Sequence, residues 1–95
     1  MPVTYFRIVW PDHTEATCYS PSTIVEQHFA ADTVYPLDDF LARARTALGA
    51  ASERVRQRYG YACSSALDQL AQIETTAARF TAQPDATVRF VGFGR

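Results

Sequence analysis

Residues 36–59 read Pro-Leu-Asp-Asp-Phe-Leu-Ala-Arg-Ala-Arg-Thr-Ala-Leu-Gly-Ala-Ala-Ser-Glu-Arg-Val-Arg-Gln-Arg-Tyr. Leu37, Phe40, Leu41, Ala44, Leu48, Ala51, Val55 and Tyr59 recur at the three- and four-residue spacing of one helical stripe. Asp38 and Asp39 occupy the first turn and Arg54, Arg56 and Arg58 the last turns, both complementing the helix dipole. Asp39 and Arg43 make an i,i+4 pair, and Gly60 is the residue expected just past the end. This stretch predicts one long amphipathic helix.

Downstream, Ser64 or Ser65 starts a second long helix that ends near Ala82. Ala66, Leu67, Leu70, Ile73, Ala77 and Phe80 form its stripe, and Ser65 with Asp68 has the form of a capping box. The linker is short, so the helices are expected to form an antiparallel hairpin. Gln83-Pro84-Asp85-Ala86 then reads as a turn and residues 87–93 as a strand. Alternation places Val88 and Phe90 on one face and Arg89, Val91 and Phe93 on the other.

Upstream, residues 4–10 are β-branched and aromatic, and Phe6, Ile8 and Trp10 share a face. Pro11-Asp12-His13 is a turn in which His13 would take the left-handed position that usually prefers Gly. Residues 14–20 return as a second strand. Ser20 is expected to cap a short helix that opens at Pro21 and runs to about Phe29. Thr33-Val34-Tyr35 is a candidate third strand, stopped by Pro36. The order is β-β-α-(β)-α-α-β, an α+β class with an antiparallel sheet packed by the helix hairpin. Expected core positions are Phe6, Ile8, Phe40, Leu41, Leu48, Val55, Leu67, Leu70, Ile73 and Phe90.

The 95 residues form a single domain, 1–95, with 47% apolar and 20% charged residues. A chain of this length buries roughly 60–65% of its unfolded surface, so its stability is marginal unless it packs well or associates. The net charge of −1 supplies no drive toward nucleic acid or an anionic membrane. Its basic residues are all Arg, a bias that a GC-rich genome explains as well as function does. No apolar run reaches the roughly 20 residues of a membrane helix, and MPVTYFRIVW is not a signal peptide. A cytoplasmic location with reduced thiols is therefore expected for the two cysteines, Cys18 and Cys63.

Cys18-Tyr19-Ser20-Pro21-Ser22 is the most suggestive cluster. A thiol before a helix N-terminus feels a positive potential that favours the thiolate, and the free N–H groups there suit an anion. Cys18 also alternates with Ala16 on one strand face, which suits a small buried hydrophobe. Candidate ligand-binding or reactive residues are thus Cys18, Ser20, Ser22 and His13. Cys63, beside Tyr61 and Ala62, reads as packing. His13 and His28 have the right pKa range for a general base, yet no nucleophile and orienting group accompany them. Cys18, Cys63, His13 and His28 are zinc-type ligands without zinc spacing. Arg54, Arg56 and Arg58 could hold a phosphate, or form a solvated face. No catalytic constellation emerges, and no metal or cofactor is called for.

The segments VWPDH, CYSPS, VYPLDDFLARARTAL, ASERVRQRYGYACSSALDQL and TVRF together resemble the small bacterial nitrogen-starvation-response protein family. The resemblance covers nearly the whole chain, and the 51–70 segment is its most specific part. His13 stands where the family's turn reads Trp-Pro-Asp-Gly. The resemblance implies a gene neighbourhood with a nitrilase, a radical-SAM protein, an acetyltransferase, an AIR-synthase-like protein and a flavoprotein, linked to nitrile or cyanide as a nitrogen source. It implies a pathway and no mechanism. Two functions are expected to compete: a non-catalytic accessory that binds a protein of the same cluster or itself, and a small enzyme or ligand-binding module that uses Cys18. A nucleic-acid regulator is disfavoured by the charge balance.

Overall fold

The structure, a computed structural model, describes residues 3–61 and 64–94. Its elements are β1 (Thr4–Val9), β2 (Glu15–Ser20), a 3-10 turn (Thr23–Gln27), β3 (Thr33–Pro36), α1 (Leu37–Tyr59), α2 (Ser64–Ala77) and β4 (Thr87–Phe93). The strands form one antiparallel sheet in the order β2-β1-β4-β3. The α+β class stands, and the candidate third strand is an edge strand.

The third element differs from the expected helix. It is a five-residue 3-10 turn, capped by Ser22 rather than Ser20. Ser22 is extended at φ −143° and its hydroxyl accepts the Ile24 N–H at 3.3 Å. The start therefore lies two residues later than the Ser20-Pro21 pair suggests.

Helix α1 runs for 23 residues, as the stripe requires. Pro36 offers it no side-chain cap, and the Leu37 N–H instead donates to the Ala86 carbonyl at 3.0 Å. At the other end Gly60 takes φ 84° and returns its N–H to Arg56 O at 2.8 Å. A β-carbon disfavours that left-handed geometry, which accounts for glycine there. The Asp39–Arg43 pair forms at 2.9 Å. Arg43 also donates to the His28 carbonyl at 2.9 Å and lies 4.9 Å above the Tyr35 ring, tying the 3-10 turn and β3 to α1.

Helix α2 already includes Ser64, so Ser65 lies within its first turn and does not cap it. The helix ends at Ala77; the expected final turn tightens into i→i−3 bonds, Arg79 N–H to Thr76 O and Phe80 N–H to Ala77 O. Its inward face is Ala66, Leu70, Ile73 and Ala77. Leu67, expected in the core, is 47% exposed, because it lies one helical step of about 100° beyond Ala66. Tyr59 likewise ends the α1 stripe in solvent. Arg45 joins Glu74 across the helix pair at 3.2 Å.

The core lies between the helices and one sheet face. Phe29 is its hub, stacked on Phe90 with ring centroids 4.6 Å apart and tilted against Phe40 at 5.6 Å. Trp10 closes one side against Phe40 and Phe80. Strand β4 departs from simple alternation. Arg7 pairs with Gly92 while Ile8 pairs with Phe90, which leaves Val91 as a bulge. One extra residue reverses the facing of the strand beyond it. Phe93 therefore turns to the Phe6 side and packs 5.1 Å from Phe90.

Candidate functional site

The candidate residues occupy two ends of β2. Cys18 pairs with Phe6 across the β1–β2 ladder and is 1% exposed. Packing at this position follows from the alternation that also turns Phe6 and Ile8 inward. Burial pushes the Cys18 thiol up to about 12. A thiolate in apolar surroundings lacks hydration, so the neutral thiol is strongly favoured. Gln69, Gln72, Ile73 and Thr76 of α2 overlie it, leaving a cleft of about 90 Å³.

Ser20 closes β2 opposite Thr4 and is fully buried. Its hydroxyl donates to the Ser22 carbonyl at 2.8 Å and accepts the Ser22 N–H at 3.3 Å. Ser22 is buried as well, and its own hydroxyl is engaged as the cap. Both hydroxyls thus hold the chain's departure from the sheet. The sequence brings Cys18, Ser20 and Ser22 near one another, but each faces the interior with its polar atoms committed or desolvated.

His13 lies at the opposite end of the strand, roughly 20 Å away at about 3.3 Å per residue. It is exposed and takes φ 69°, as the turn requires. Its N–H donates to Trp10 O at 2.8 Å, and Trp10 N–H to Thr14 O at 2.8 Å. Asp12 accepts from the Thr14 hydroxyl at 2.6 Å and the Thr14 N–H at 3.1 Å; these bonds, with Arg79 nearby, hold its carboxyl below its ordinary value. The imidazole joins neither serine nor the thiol. His28 ends the 3-10 turn, with its N–H on Val25 O and its carbonyl on Arg43. Cys63 lies outside the described residues. Among the described residues no three His, Cys, Asp or Glu side chains are grouped to hold a metal ion.

Two further features lie apart from these candidates, and the second involves aromatic residues in excess of what a small core needs. Gln69 Oε1 accepts the Tyr19 N–H at 3.0 Å. Tyr59 and Tyr61 form an exposed pair at the tip of the helix hairpin. Arg56 there is paired with Glu53.

The family model of the nitrogen starvation-induced protein NitG matches residues 5–93, from the first strand to the last. The chain belongs to the NitG family. No curated protein and no solved structure matches it. NitG membership associates the chain with the nitrogen-starvation response, and residues 5–93 reach every described strand and helix. For a NitG chain of this geometry, the thiol and both serines are parts of the packed interior. No described helix is long and apolar enough to cross a membrane.

Proposed function

We propose that this NitG-family protein acts in the nitrogen-starvation response as a non-catalytic accessory, in the scavenging of nitrogen from nitriles or cyanide. Its partner is a protein encoded in the same cluster, or a second copy of itself. The observation that carries the reading is the burial of Cys18 against Phe6, with its thiol pushed up to about 12. Covalent catalysis needs a thiolate that substrate can reach and a base to generate it. Cys18 has neither. Ser20 and Ser22 spend their hydroxyls on local backbone, and His13 stands at the far end of the strand.

The test is growth. A strain lacking this gene is supplied with the wild-type chain or with Cys18→Ala, under nitrogen limitation with a nitrile as nitrogen source. The accessory reading expects equal growth at equal protein level. Loss of growth with a folded, normally abundant Cys18→Ala chain would overturn it in favour of thiol chemistry.

A further inference from the structure

The two ends of α1 differ in shape and charge. At its C-terminal end the hairpin finishes in Tyr59 and Tyr61, 50% and 66% exposed, with ring centroids 6.3 Å apart. Arg58 lies 5.8 Å over the Tyr59 ring, and among the described residues Arg54 pairs with no carboxylate. Exposed tyrosines beside arginines are the side chains that anchor protein interfaces, because they bury large area at small entropic cost.

At the N-terminal end an open cleft of about 380 Å³ is lined by Pro36, Leu37, Leu41, Pro84 and Ala86, with Asp38 on its rim. Asp85, between two lining residues, is exposed beside it. Thr81 and Gln83 line it too, so the cleft mixes apolar and polar side chains and carries the acidic charge of Asp38 and Asp85. Helix α1 separates it from the tip by about 34 Å, given 23 residues at 1.5 Å each, and the molecule is 40 Å long. Knob and cleft of one chain therefore cannot meet.

We propose that the cleft receives the Tyr59–Tyr61 tip of a second copy, so that chains join head to tail. Charge complementarity selects this occupant: Arg54 and Arg58 meet Asp38 and Asp85, while a tip meeting a tip would oppose arginines. The contact joins unlike patches, so it repeats from copy to copy into a row or a closed ring. It deepens the accessory reading by naming how copies meet, and it can fail while that reading stands.

Sedimentation equilibrium of the purified chain, from micromolar to millimolar concentration at low salt, tests it. The weight-average mass of the wild type should rise beyond two chains and fall again as salt screens the contact. Arg54→Glu/Arg58→Glu, Gln83→Lys/Asp85→Lys and Tyr61→Ser should each stay at the single-chain mass, with melting curves confirming the fold. Combining the tip and cleft charge changes in one chain should restore association. A wild type that stays single throughout would overturn the proposal and leave the growth test untouched. So would a tip variant that associates as the wild type does, or a folded combined variant that remains single.

Discussion

Gln69 of α2 accepts the backbone N–H of Tyr19 at 3.0 Å, so a helix side chain closes part of the outer edge of β2. An edge strand exposes backbone groups that would otherwise recruit another strand. Neighbouring α2 residues Gln72 and Thr76 line one small cleft together with Thr17 and Cys18 of the same strand.

Gln69→Ala is expected to destabilise the fold by about 1 kcal/mol, the net worth of one such hydrogen bond. Its distinctive sign is local. Hydrogen exchange at the Tyr19 amide should accelerate more than at Cys18, whose strand position faces β1. Equal acceleration at both amides would point to general loosening instead.

His13 takes φ 69° in the β1–β2 turn, a conformation that costs a β-carbon residue strain. His13→Gly removes that strain but frees the unfolded chain, so the change should be neutral or stabilising by up to about 1 kcal/mol. Thermal unfolding of the two chains measures it. A clear drop in melting temperature would mean that the imidazole contributes contacts which outweigh the backbone.

Stability should also fall at alkaline pH through Cys18. Its ordinary pKa of 9.0 in the unfolded chain rises to about 12 in the fold. Between those values the folded chain holds one more proton than the unfolded chain, so stability decreases as pH rises, by about 1.4 kcal/mol per pH unit. The slope sets in as the unfolded thiol ionises around pH 9 and vanishes well below it. Urea midpoints from pH 8 to 10.5, compared with Cys18→Ala, isolate this contribution; the variant should lack it.

The residues reveal the helices more plainly than the sheet. The α1 stripe and Gly60 identify their element because spacing and a left-handed cap are local properties. Leu67 is not placed by its spacing, since a one-step rotation about α2 depends on what α1 presents to it. The Val91 bulge is equally silent, as it arises from pairing with β1, more than 80 positions earlier in the chain. The Ser20-Pro21 pair reads as a helix start in the sequence, and only tertiary packing moves the cap to Ser22 while Ser20 braces it. Cys18 fits both a reactive thiol and a small hydrophobe in the sequence; its burial beneath α2 and beside Phe6 depends on tertiary packing that no local pattern encodes.

The rate at which iodoacetamide modifies Cys18 in the folded chain measures directly whether the thiol is buried or reactive. The peptide carrying Cys18 is followed by mass spectrometry at pH 6 and pH 8, native and in urea. A buried thiol gives essentially no labelling of the native chain at either pH over the period in which the unfolded chain at pH 8 is fully modified. Rapid native labelling at pH 6 would show an accessible thiolate and contradict that burial.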